Sequence, residues 1–91
     1  MDRVELANEL ENLARVANAE GDAARATRLL GAAASLRAMI PVPLPASEQS
    51  RYEQIITATR THLDEIAFAL AWAAGQIMTL DEAVTYAVAA G

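Results

Sequence analysis

The chain has no cysteine, no lysine, a single histidine and few aromatic residues, 4% of its 91 positions. Without cysteine there is no disulfide, no thiol nucleophile and no thiolate metal site, a usage that suits a reducing cytoplasm. The lone histidine, His62, has no second imidazole to complete a metal ligand set, and it cannot define a catalytic triad. β-Branched residues are sparse and never alternate over a strand-length run, so the period-two pattern of a half-buried strand is missing. The longest apolar run, Ile66 to Ala74, falls far short of the ~20 residues that a membrane-spanning helix needs. The first residues, Met1-Asp2-Arg3-Val4-Glu5, lack the basic start and apolar core of a signal peptide.

Alanine dominates what is present. Apolar residues make up 54% of the chain, and alanine favours helix while costing no side-chain entropy. The expected fold class is all-α, in one small domain with a radius of gyration of roughly 12 Å. The formal net charge is −5, and every basic residue is arginine. An acidic balance disfavours a nucleic-acid backbone or an anionic membrane as partner. The expectation is therefore a cytoplasmic chain whose partners include no nucleic acid and no membrane.

Periodicity and capping residues divide the chain into about five helices. The first runs from about Asp2 to Glu20, with Leu6, Leu10, Leu13 and Ala17 on one stripe. Gly21 ends it, and Asp22 caps a second helix from about Ala23 to Met39. The stripe of that helix is Ala26, Leu29, Leu30, Ala33, Leu36 and Ile40. Its interior Gly31 costs about 1 kcal/mol of helix stability relative to alanine, which a close helix contact would explain. Arg25, Arg28 and Arg37 fall on or beside its wet face, where Glu11, Glu20 and Asp22 are the expected counter-charges.

Pro41-Val42-Pro43-Leu44-Pro45 then imposes an extended connector, with Val42 and Leu44 expected to pack onto the helices. A third helix starts near Ser47 or Ser50, either serine serving as cap, and carries Tyr52, Ile55, Ile56, Thr59 and Leu63 inward. A fourth starts near Asp64. Its apolar residues Ile66, Phe68, Leu70 and Trp72 point in several directions, so it is expected to be central or covered on more than one side, with Gly75 as C-cap. Thr79-Leu80-Asp81-Glu82 is a capping box for a fifth helix, with Leu80, Ala83, Val84, Ala87 and Val88 inward and an end close to Gly91. The pairs Asp64-Glu65 and Asp81-Glu82 both open helices, where acids complement the helix dipole. They are read as structural and not as catalytic carboxylates.

The series Leu10, Leu13, Ala14, Ala17, Gly21-Asp22, Ala26, Leu30 and Ala33 resembles the tetratricopeptide helical hairpin. Ala17 departs from it, since the pattern usually has tyrosine there. Four further stretches occur in order: Arg28 to Arg37, Pro43-Leu44-Pro45 with Tyr52-Glu53, Ala67 to Gly75, and Met78 to Val84. Together they resemble the C-terminal end of bacterial LuxR- and SARP-type transcriptional regulators and signal-transduction ATPases. In that family the tail closes an array of tetratricopeptide-like repeats. The resemblance covers about residues 5–90, and Asp64 departs from it where the family usually has glycine. It implies a repeat-array end, a hairpin over 1–40 joined by the connector 41–46 to a three-helix cap over 47–91. It implies neither an ATPase nor a DNA-reading segment, because the chain holds no P-loop and no helix-turn-helix motif.

The functional expectation is a non-catalytic protein–protein interaction module with no cofactor and no metal. Its partner is a protein or peptide, or neighbouring repeats of a longer chain. The candidate peptide groove lies on the first helix, where Asn8, Asn12, Arg15 and Asn18 recur at helical spacing. The alternative is a free-standing adaptor that homodimerises through an open apolar side of the first helix, with Val4, Val16 and Leu6. An enzyme reading is rejected because no convergent set of titratable groups is present.

Overall fold

Short-range chemistry sets the helix ends of the computed structural model, which describes residues 2–41 and 44–89. The five helices are α1 (Arg3–Ala19), α2 (Ala23–Ala38), α3 (Ala46–Arg60), α4 (Glu65–Gln76) and α5 (Leu80–Ala89). The Asp2 carboxylate accepts from the Glu5 amide at 2.8 Å, Asp22 from Arg25 at 3.0 Å and Asp64 from Ala67 at 2.7 Å. Each satisfies one of the orphan donors of a first helical turn. Thr79 and Glu82 form the expected reciprocal box, with N–H···O distances of 2.8 and 3.1 Å. Gly21 adopts φ 88°, and the amides of Gly21 and Asp22 return to the carbonyls of Asn18 and Ala17. This is the left-handed glycine stop that lets α1 and α2 fold back on each other.

α3 starts differently. Pro45, with φ −57° and ψ 151°, occupies its cap position with no side-chain hydrogen bond. Helix begins directly after the last proline, so Ser47 and Ser50 lie inside it and neither is the cap. Leu44 is half-buried as expected, whereas Val42 lies outside the described residues. Gly91, near which the fifth helix was expected to end, also lies outside them.

The core fills the space between α1 and α2. Leu6, Leu10, Ala14 and Ala17 face Ala26, Leu29, Leu30, Ala33 and Leu36, and Ile55 of α3 closes one side. Two buried hydroxyls there are satisfied locally: Thr27 and Thr59 each donate to the carbonyl four residues earlier at 2.8 Å. The central helix is α2, which touches each of the other four helices. The expectation gave that place to α4, whose only buried residues are Phe68, Ala71 and Gly75. Small residues explain the difference. Ala23, Ala26, Gly31, Ala32 and Ala33 leave α2 thin enough to be covered on several sides.

α2 and α4 meet backbone to backbone. A Cβ built on Gly31 would run into the Trp72 carbonyl oxygen and lie 3.2 Å from the Gln76 amide nitrogen. A Cβ on Gly75 would run into the Arg28 carbonyl oxygen and lie 2.9 Å from the Ala32 amide nitrogen. Gly31 therefore serves the close contact anticipated for it. Gly75 does not end α4. It is the reciprocal notch, buried within the last turn of that helix.

α5 is held mainly by polar contacts. Only Ala83 and Ala87 are buried, while Leu80, Val84 and Val88, expected inward, are 47%, 40% and 72% exposed. The Arg25 guanidinium donates to the carbonyls of Tyr86 (3.3 Å) and Ala87 (3.2 Å) and lies 4.8 Å from the Tyr86 ring centroid. Arg28 donates to the Tyr86 hydroxyl at 3.3 Å. These two arginines thus do not form a solvated face. They bring positive charge to the carbonyl end of α5, the end that the helix dipole leaves negative.

Three outcomes follow. Gly31→Ala and Gly75→Ala each destabilise the fold by about 2 kcal/mol or more, against the ~1 kcal/mol gain that the same change brings in an open helix; urea unfolding followed by circular dichroism measures this. Arg25→Ala releases α5, seen as faster amide exchange over 80–89 with little change in α1 and α2. The Glu82 carboxyl is held below the usual carboxylate range by hydrogen bonds from the Thr79 backbone and hydroxyl. Its stabilisation of α5 is complete above the unfolded value of about 4.3 and is lost as pH falls through the lower folded value. The protection factors of the α5 amides, which divide out the intrinsic pH dependence of exchange, therefore fall in acid, and Thr79→Ala weakens that dependence.

Candidate interaction surfaces

α3 lies alongside both α1 and α2, and a cleft of about 190 Å³ opens where its first half faces α1. The cleft is built around Glu11 and Arg37. The guanidinium makes a two-pronged contact with the carboxylate, Nε to Oε2 at 2.7 Å and Nη2 to Oε1 at 2.9 Å, and also donates to Asn8 Oδ1 at 2.7 Å. Both partners are nearly buried, so the pair is desolvated and the hydrogen bonds to charge are strong. The Glu11 carboxylate raises the pKa of Arg37 further, against an opposing effect of burial. Arg51 of α3 donates to Asn12 Oδ1 at 3.0 Å. Tyr52 lines the same cleft, and burial followed by the Glu11 charge pushes its phenol up.

Farther along the seam, Arg15 and Asn18 line a shallower depression with Arg51, Gln54, Ile55 and Ala58. Asn8, Asn12, Arg15 and Asn18 thus share the face of α1 that runs beside α3. The side chains of Asn8 and Asn12 are engaged by arginines of the same chain, and Arg15 is exposed. Asn18 Oδ1 is buried with no hydrogen-bond partner among the described residues. The Glu11 counter-charge expected for the arginines of α2 is realised at Arg37, whereas the Asn8 contact, 29 positions away, has no local signal in the sequence.

His62 sits exposed at the turn between α3 and α4, remote in sequence from Glu11. Among the described residues no group of three or more histidine, cysteine, aspartate or glutamate side chains is placed to hold a metal ion. Among the described residues no helix is long and apolar enough to cross a membrane.

The second surface is apolar and was missed in sequence. Ile66, Leu70 and Ile77, on α4 or at its end, are 75%, 68% and 82% exposed. With Leu80, Val84 and Val88 of α5 they leave more large apolar surface uncovered than α1 does. On α1 only Val4 (44%) and Val16 (45%) are open, and Leu6 is buried. Trp72 is half-buried against the core and stacks on Phe68 at 5.7 Å between ring centroids. The Arg60 guanidinium lies 4.9 Å from the Phe68 ring.

No protein-family model matches the chain, and no solved structure does. Curated relatives do. Proteins of Mycobacterium tuberculosis and Mycobacterium bovis, each named "Putative HTH-type transcriptional regulator", are 36% identical to it over 78 residues. That stretch is 86% of this chain but 9% of each relative, so the chain spans only a small part of the proteins it matches. The finding corrects one expectation. The exclusion of nucleic acid as a partner, drawn from the net charge, does not stand against relatives named for a DNA-binding motif. Net charge sums over the chain, whereas nucleic-acid recognition depends on where the cations lie and on the rest of the protein that carries the segment.

Proposed function

We propose that this chain is a non-catalytic protein–protein interaction module, the C-terminal helical-repeat part of a bacterial transcriptional regulator or signalling ATPase of the LuxR or SARP kind, working in the cytoplasm. The observation that carries the reading is the likeness to HTH-type regulators over most of this chain and only 9% of theirs. In those relatives the matching stretch is one part of a much longer chain. The helical hairpin of α1 and α2, with alanines at the approach and a left-handed glycine between, supports a repeat of tetratricopeptide type. Such repeats stack by apolar faces that no single unit can bury alone. The open valines of α1 provide one such face toward a preceding unit. The polar seam of Asn8, Asn12, Arg15 and Asn18 is then the groove along which a peptide would be gripped.

A graft tests this reading. The 78-residue matching stretch of the Mycobacterium tuberculosis regulator is replaced by the corresponding residues of this chain, and the chimera is compared with a version lacking the stretch. A chimera that melts cooperatively near the parent temperature and drives a transcriptional reporter is expected, while the deletion aggregates. A chimera as unstable and inactive as the deletion would overturn the array-end reading.

A further inference from the structure

We infer that the seam between α1 and α3 binds an extended peptide segment carrying aspartate or glutamate, with the acidic side chains at its Arg15–Arg51 end. The inference rests on the reading of that seam as a peptide groove and adds the chemistry of the occupant. Contacts within the chain fix how the asparagines present their amides. Arg37 meets Asn8 and Arg51 meets Asn12. A guanidinium only donates, so the amide atom it meets is the oxygen. The Nδ2 donors of Asn8 and Asn12 are therefore the ends left for a ligand. Asn18 keeps its Oδ1 buried, which leaves Nδ2 as the end that can reach one. A row of donors calls for a ligand rich in acceptors. Asn8 and Asn12 stand about 6 Å apart along α1, close to the ~6.8 Å between carbonyls on the same side of an extended chain. A helical ligand would not serve, because its carbonyls are bonded internally.

The charge lining the seam selects the side chains. The depression at the Asn18 end holds Arg15 and Arg51 and no acid. The cleft at the Asn8 end holds Arg37 and Arg51 with Glu11 and Glu48, and is balanced. The two share Arg51 and Ile55, so they form one trough, neutral at one end and cationic at the other. Among the described residues the one ion pair is Glu11–Arg37. Arg15 and Arg51 therefore keep a charge that no carboxylate of the chain contacts, and an acidic side chain of a peptide supplies the missing partner. A second copy of this chain fits less well. Each of its acids lies in a helix or at a helix end, so it could meet the arginines but would leave the asparagine donors unmatched.

Fluorescent peptides rich in glycine and serine, blocked at both ends and alike except for a central pair of glutamates, glutamines or lysines, are titrated with the 91-residue chain by fluorescence anisotropy. Blocked ends make the side-chain carboxylates the only acids present. The glutamate peptide binds about tenfold or more tightly than the glutamine one, the lysine peptide binds weakest, and the preference falls as salt is raised. Arg15→Gln and Arg51→Gln each weaken the glutamate peptide about fivefold or more. Arg15→Gln does so with the helical circular dichroism unchanged, because that side chain is exposed. Arg3→Gln, also on α1 but lining neither depression, leaves binding unaltered. Equal affinity for the glutamate and glutamine peptides, no binding of any, or indifference to Arg15→Gln would each overturn the inference. A single-stranded oligonucleotide that binds more tightly than the glutamate peptide and is lost in Arg15→Gln would give the seam to nucleic acid and overturn it. So would a dimer in sedimentation velocity that Arg15→Gln dissolves. The graft reads stability and transcription, so failure there and failure here are separable.

Discussion

Gly31 and Gly75 let the backbones of α2 and α4 touch with no side chain between them, and the placement of the C-terminal half depends on that contact. Each glycine takes up the space where a Cβ would strike a carbonyl of the opposite helix, Trp72 for one and Arg28 for the other. The contact is therefore fixed both along and around the two helices. Once α4 is set, Phe68 and Trp72 stack beside the core, and the chain leaves α4 at Ile77 close to the first half of α2. Arg25 and Arg28 project from that half of α2 and capture the carbonyl end of α5. One pair of missing side chains thus positions two helices. It also leaves α4 with a single buried face, because a helix held this close along one line has its opposite side directed away from the core.

What was legible in the sequence tracks how far each interaction reaches along the chain. Asp2, Asp22, Asp64 and the Thr79–Glu82 pair were readable because each caps a turn within three residues of itself. Gly21 was readable because a glycine followed by a capping aspartate has few other uses. Gly75 was misread because a glycine in the last turn of a helix looks the same whether it ends the helix or admits a neighbour. Ile66, Leu70, Leu80, Val84 and Val88 were misassigned to the interior for a related reason. Periodicity shows that a stripe is apolar, but which stripe gains a partner is settled by tertiary packing. In the polar seam, the shared face of Asn8, Asn12, Arg15 and Asn18 follows from helical spacing alone. Glu11 was anticipated as a counter-charge for the arginines of α2, and Arg37 meets it; the arrival of Arg51 at Asn12 depends on how α3 lies against α1, which no local pattern encodes.

The arginines show why composition misled about charge. Arg25, Arg28, Arg37, Arg51 and Arg60 all find partners inside the chain: carbonyls, a phenol, a carboxylate, an amide and an aromatic ring. These cations are spent largely on holding helices to one another, while the acids of α4 and α5 open their helices and face water. The field at the surface is consequently more uneven than a net charge of −5 suggests. The acids of residues 61–91 have no arginine beside them in sequence, yet Arg25, Arg28 and Arg60 are set against α4 and α5 in space, while Glu11 neutralises Arg37 between α1 and α2.

This division of labour bears on how so small a fold can present an apolar face at all. The fold has a radius of gyration of 12.0 Å, and a chain of this length buries only about 60–65% of its unfolded surface. Alanine-rich helices deepen the difficulty, since each contact between them removes little area from water. Close backbone approach and charge-assisted hydrogen bonds compensate: the former at Gly31 and Gly75, the latter at Glu11–Arg37. With the interior held by these means, the large aliphatic side chains of α4 and α5 are not needed for the core. They remain outside, exposed to water, with Asp64 and Glu65 beside Ile66 and Leu70 at the start of α4.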